Sequence, residues 1–160
     1  MPSQSKNVSA DVFLNIPYDN DELSELLLIA FTAALVALGR KPHLTFELPD
    51  GGAGRMRRIF SLLRSCPVSF HDLSAVSLPV RFNMPFELGL TLTWARLNPG
   101  QHSWFVFESR ERRVQKSLSD LNGTDPNIHD GTVEGVMREL CNAFVRARAA
   151  RPEVPEMMRT

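Results

Sequence analysis

The feature that most constrains this chain is an alternation. Short apolar, β-branched or aromatic runs are each followed by a stretch with helical spacing. Asp11-Val12-Phe13-Leu14-Asn15-Ile16 reads as a buried strand stopped by Pro17. A helix is expected over 21–38, with Asp19 and Glu22 as a capping box, Gly39 as the stop, and Leu23, Leu26, Leu27, Ala30 and Ala34 inward. A strand at 43–48, a glycine-rich loop at 49–54 and a basic helix at 55–64, with Met56, Ile59, Phe60 and Leu63 inside, come next. A third strand is read at 68–72. Asn83 is expected to cap a helix to about 97 that tolerates Pro85 in its first turn. A fourth strand at 103–108, a short helix at 112–118, a brief fifth strand within 120–130 and a last helix from 131 or 132 to 149 complete the pattern. Strands alternating with helices mean βαβ units, hence an α/β fold with a mostly parallel sheet of four to five strands and helices on both faces.

The chain has 160 residues, which is one ordinary domain, read as 11–150 between flexible segments at 1–10 and 151–160. Formal net charge is zero, so no global field draws it to nucleic acid or anionic lipid, and neither partner is expected. The longest apolar run, 26–38, is too short to span a bilayer. Residues 1–9 carry no apolar signal core. Two cysteines, Cys66 and Cys141, build no disulfide framework and fit a cytoplasmic location. The four histidines lack metal-ligand spacing, so no metal site is expected.

In parallel sheets ligands bind beyond the carboxyl ends of the strands. There the sequence gathers Asn15, Tyr18 and Asp19, then Glu47 and Asp50, Asp72 and Ser74, and finally Glu108, Ser109 and Arg110. Glu87 reaches the same rim from the first turns of its helix, on a partly apolar face with Leu90, Thr91 and Trp94. Gly89, inside that helix, is expected to mark a close approach by another backbone or a ligand. A rim carboxylate suits cleavage at an anomeric carbon, because it stabilises or attacks the positive charge that develops on the sugar. Asn15, Asp72, Ser74 and Asn83 offer hydrogen bonds to a sugar and base, Phe82 and Phe86 offer stacking surface, and Arg81 can pair with a pyrophosphate or with Glu87. Gly51-Gly52-Ala53-Gly54-Arg55 enters a helix and reads either as a plain turn or as a phosphate cradle.

Asp72-Leu73-Ser74 followed by Phe82-Asn83-x-x-Phe86-Glu87-Leu88-Gly89 resembles small bacterial proteins of the TIR-like and nucleoside 2-deoxyribosyltransferase-like superfamily. Val12-Phe13-Leu14-Asn15-Ile16-Pro17 resembles the first strand and following loop of that group. Residues 120–131 resemble a late segment of such proteins. The resemblance implies a flavodoxin-like three-layer sandwich with Glu87 as the catalytic carboxylate and Asn15, Pro17, Asp19, Asp72, Ser74, Arg81, Phe82 and Asn83 around the substrate. It implies an N-glycosidic bond hydrolase acting on NAD as substrate, without a cofactor, in a bacterial defence or signalling setting. A nucleoside 2-deoxyribosyltransferase and a non-catalytic nucleotide-binding signalling module stay open beside it. It also implies a homo-oligomer or assembly with an activating partner. Asn83 and Met84 stand where TIR domains carry Trp-Cys, and residues 78–81 stand where the transferases carry an acidic residue and Gly-Thr. The substrate is therefore open between NAD and a nucleoside. NAD is favoured because its nicotinamide is already cationic and leaves without a general acid, whereas a neutral base needs one such as Asp19, Asp72 or His129.

Overall fold

The structure is a computed structural model that describes residues 9–18, 21–45, 54–75, 82–121 and 123–149. Among the described residues five strands alternate with five α-helices: β1 Asp11–Asn15, α1 Glu22–Ala37, β2 Lys41–His43, α2 Gly54–Ser65, β3 Val68–Asp72, α3 Asn83–Leu97, β4 Ser103–Glu108, α4 Arg113–Ser117, β5 Asn127–Ile128 and α5 Val133–Ala149. The strands form one sheet in the order β2-β1-β3-β4-β5, and every pair is parallel. This is the flavodoxin-like order, an α/β sandwich of three layers.

Side-chain alternation along each strand assigns the two faces. Val12, Leu14, Phe70 and Phe107 point to α1 and α5, where they pack with Phe31, Ala34, Leu35, Val136 and Leu140. Phe13 points the other way and packs with Ile59, Leu62, Leu63 and Cys66 from α2 and its end. Val106 shares that second face with Met84, Leu88 and Val114. Phe31 and Phe70 both meet Phe107 edge-on, with centroids 5.3 and 5.5 Å apart. Burial of each such ring contributes about 1.5–3 kcal/mol, so the core is held mainly from the α1/α5 side.

Several expectations are corrected. The second strand begins at Lys41 and not at His43, because pairing starts as soon as α1 ends; it spans Lys41–His43, Leu44 and Thr45 are not part of it, and residues 46–48 of the expected strand lie outside the described residues. Gly39 adopts φ +70° and Lys41 N–H donates to Ala10 O at once. Pro42, which obscures the strand in the sequence, is tolerated because β2 is an edge. The α1 cap is Asp21, whose carboxylate accepts from Ser24 N–H at 3.0 Å, not a box starting at Asp19, a residue outside those described. Leu23 and Leu26 are exposed, and the inward stripe is Leu27, Ala30, Phe31, Ala34 and Leu35. Met56 is likewise exposed. Asn83 does not cap α3; Phe82 occupies the cap position and makes no side-chain cap bond, while Asn83 is the first helical residue. The expected flexible ends, most of the loop at 49–54, Glu47 and Asp50 lie outside the described residues. Among the described residues no helix is long and apolar enough to cross a membrane.

Candidate active site

The chain runs from β1 outward to β2, then returns to β3 on the other side of β1. Beyond the carboxyl ends of β1 and β3 this reversal opens a crevice, the usual ligand position in such sheets. A cleft of about 490 Å³ sits there. Its floor and walls come from Asn15, Ile16, Pro17 and Tyr18 after β1, Leu44 and Thr45 after β2, Arg55 in the first turn of α2, and Asn83 and Met84 in the first turn of α3. Of the residues picked out from the sequence, Asn15, Pro17 and Asn83 therefore come together.

Glu87 lies one turn beyond Asn83 on α3 and is 1% exposed. Arg55 covers it: Nε and Nη2 donate to Glu87 Oε1 at 2.9 and 2.7 Å. Arg55 itself is half exposed and lines the cleft, so the ion pair forms the partition between solvent and carboxylate. Glu87 Oε2 is buried and has no hydrogen-bond partner. Burial raises the Glu87 pKa, while Arg55, and after it the Asn83 side chain, pull it down; burial prevails.

The other buried carboxylates near the rim are committed to structure. Glu108 accepts a two-pronged grip from Arg113 and a bond from Ser109 N–H at 2.7 Å, while Arg113 also donates to Ser74 O at 3.0 Å. Asp72 points to the α5 side of the sheet, where Oδ1 accepts from Ser74 N–H at 3.0 Å and from the Ser74 hydroxyl. His129 Nε2 stands 3.1 Å from Ser74 Oγ and 3.5 Å from Asp72 Oδ1. Asp72, Ser74 and His129 thus tie the end of β3 to the end of β5, away from the cleft. Glu87 differs from Asp72 and Glu108 in keeping a buried oxygen unbonded.

The remaining candidates distribute as follows. Phe82 is exposed and borders a separate, more apolar depression of about 300 Å³ with Leu73, Pro85, Val114 and Leu118, so it does not share a wall with Asn15. Phe86 is also exposed. Asp19 and Arg81 lie outside the described residues. Gly89 is exposed and open space surrounds the place of its missing side chain, so no close approach explains it. The glycine with that property is Gly135, where an added Cβ would stand 2.6 Å from the His129 carbonyl carbon. Among the described residues no group of His, Cys, Asp and Glu could hold a metal ion.

Sequence reasoning missed Arg55 as the partner of Glu87. It read as one cation of a basic helix and as the last residue of a plain turn or phosphate cradle. Its signal was position: it follows the glycine-rich loop at the start of α2, the end that faces the rim. No protein-family model and no curated protein matches the chain.

Proposed function

We propose that the chain hydrolyses the N-glycosidic bond of a nucleotide, with NAD as the foremost substrate and Glu87 as the catalytic carboxylate. The observation that carries this reading is the buried Glu87 carboxylate, half satisfied by Arg55, beside a cleft at the reversal point of the sheet. A sugar seated against Asn15 and Asn83 would bring its anomeric carbon toward Glu87. As the bond from that carbon to nicotinamide breaks, the electron pair leaves with the base, and positive charge grows on the ribose. An ionised carboxylate in a site with little water stabilises that charge strongly. Water then adds to the same carbon and releases a proton, giving ADP-ribose and nicotinamide. Arg55 must leave Oε1 for the carboxylate to act, and a substrate pyrophosphate is an anion able to draw it away.

A second reading rests on the same pair. With Arg55 closed over Glu87, the domain would bind a nucleotide without turning it over and act as a signalling module. Incubation of purified protein with NAD, and separately with deoxynucleosides, followed by chromatography of the released base, separates the readings. Nicotinamide release that disappears in Glu87→Gln supports the hydrolase. Release of base only from deoxynucleosides supports the transferase. Release unchanged in Glu87→Gln overturns the assignment of Glu87, and NAD binding without release supports the module.

A further inference from the structure

A chain of hydrogen bonds runs from the cleft along β3 to the amino-terminal end of the inner strands. Asn15 and His71 are register partners on β1 and β3, and Asn15 Nδ2 lies 3.0 Å from His71 Nδ1. His71 Nε2 lies 2.9 Å from Ser69 Oγ, two residues back on the same face of β3. Ser69 Oγ lies 2.8 Å from His102 Nε2, and His102 Nδ1 lies 2.8 Å from Cys66 O. All four side chains in this series are buried.

The direction of every bond follows from its last member. A carbonyl oxygen only accepts, so the His102 proton sits on Nδ1. Burial keeps His102 neutral, so its Nε2 accepts and the Ser69 hydroxyl must donate to it. Ser69 Oγ then accepts from His71 Nε2–H. His71 is neutral as well, its pKa pushed down to about 3 by burial and by His102, so its Nδ1 carries a lone pair. Only the NH₂ of Asn15 can face that lone pair. The same NH₂ reaches toward Met84 O at 3.5 Å. Both Asn15 N–H directions are therefore turned into the protein.

We infer that Asn15 is held in a single amide orientation by the His71–Ser69–His102 chain, so that it offers the cleft its carbonyl oxygen alone, an acceptor subsite for a hydroxyl or amine of the ligand. A free asparagine recognises donors and acceptors alike, because its amide turns over at little cost. This one is selective, since the flipped amide would set Oδ1 against the His71 lone pair. His71, Ser69 and His102 are positioning residues in this scheme, and the two beyond His71 act on the cleft through it. The inference rests on the cleft as the ligand site, and not on Glu87 or on turnover.

The test uses the full chain and two readouts. Nitrogen-15 NMR of the histidine rings reports their tautomers: His71 is expected as the Nε2–H form and His102 as the Nδ1–H form. Asn15→Asp replaces the donor by an acceptor, so a proton is expected to appear on His71 Nδ1. Calorimetry with NAD as probe gives the second readout. Ser69→Ala, two bonds away from the cleft, is expected to weaken NAD binding about tenfold, the worth of one well-made hydrogen bond. Ser69→Thr, which keeps the hydroxyl, is expected to restore binding, and this separates the relay from a packing defect at Ser69. A wild-type His71 protonated on Nδ1 overturns the relay. Absence of NAD binding, or NAD affinity equal in wild type and a folded Ser69→Ala, overturns the subsite. NAD binding that follows this pattern without nicotinamide release supports the subsite and removes the hydrolase.

Discussion

The Arg55 guanidinium satisfies one oxygen of Glu87 and leaves the other buried and unbonded, with both of its short contacts, 2.9 and 2.7 Å, falling on Oε1. Of the two carboxylate oxygens, with about four acceptor sites between them, Arg55 reaches one alone. Such a group is held in place without being fully stabilised. Its proximity to a cleft turns that deficit into a chemical opportunity, whereas the equally buried Glu108 is saturated by Arg113 and Ser109.

Removing the cation should expose the cost. Arg55→Met keeps the aliphatic stem and deletes the charge. Breaking a wholly buried pair costs about 3–5 kcal/mol, but Arg55 is half exposed, and solvent screening reduces the expected loss to about 1–3 kcal/mol. The sign of its pH dependence follows from the raised Glu87 pKa. Burial of the charged form opposes folding above that pKa, and the penalty fades as pH falls from the raised value toward the ordinary carboxylate value of 4.5, below which it is absent. The gap in urea midpoint between variant and wild type is therefore expected to be widest near neutrality and to close in acid, and the double variant with Glu87→Gln should recover most of it. A gap independent of pH would place the loss in packing of the arginine stem.

Histidine 71 sets an opposite slope. The folded chain keeps its ring neutral, with a pKa of about 3, while the unfolded chain takes up a proton below about 6.5. This contribution is fully present above the unfolded value and is lost as pH falls toward the folded one. At about 1.4 kcal/mol per unit the span amounts to a few kcal/mol. His102, whose pKa is also lowered by burial, acts in the same sense. The urea midpoint is expected to drop steeply between about pH 6 and pH 4, and His71→Gln should flatten that drop while lowering the plateau. An equally steep profile in the variant would assign the acid sensitivity to other groups.

The parts of this molecule that could be read in the sequence are those fixed by local pattern. β4 is apolar on both faces, β3 carries Val68 and Phe70 on one, and both are bounded by turn signals, so their limits coincide with the reading. Asp72 and Ser74 stand at a strand end, as expected, but face α5. Period-two alternation from the inward Phe70 already implies that orientation. Glu87 was legible because a helix that follows β3 must begin at the rim. Its partner was not, since Arg55 is 32 residues away on another helix and the pairing depends on how α2 and α3 pack. The relay was hidden for the same reason: His102 lies 33 residues from Ser69, and only the parallel pairing of β3 with β4 brings the two side chains within reach.

Two glycines make opposite predictions. Gly89 sits mid-helix, exposed, with open space around the position of a Cβ, so Gly89→Ala should stabilise the protein by about 0.5–1 kcal/mol. Gly135 has no such room. A methyl there would collide with the His129 carbonyl and stand 2.8 Å from Thr132 Oγ1. Backbone cannot yield as a side-chain tip does, and Gly135→Ala should cost about 3 kcal/mol, the upper end for overpacking. Thermal unfolding of the pair checks both, and the same sign for the two would overturn the packing of α5 on the end of β5.

Ser74, His129 and Asp72 cluster in a way that invites comparison with a nucleophilic triad, and the hydrogen-bond directions argue against it. Gly131 N–H donates to His129 Nδ1 at 3.1 Å, so the Nδ1 lone pair is in use and the neutral ring carries its proton on Nε2. That proton faces Ser74 and Asp72. A general base would need a lone pair there to take the serine proton. The Ser74 hydroxyl instead donates to Asp72, and its oxygen accepts from His129. The cluster is therefore a clamp between strand ends, and Ser74 is an ordinary alcohol. A fluorophosphonate probe should leave Ser74 unlabelled at every pH from 6 to 9, as peptide mass spectrometry can establish. Ser74→Ala should lower stability by about 1–2 kcal/mol through the unpaired His129 donor. Labelling at Ser74 would require the reverse tautomer of His129, with Nδ1 protonated against the Gly131 N–H, and would overturn the clamp.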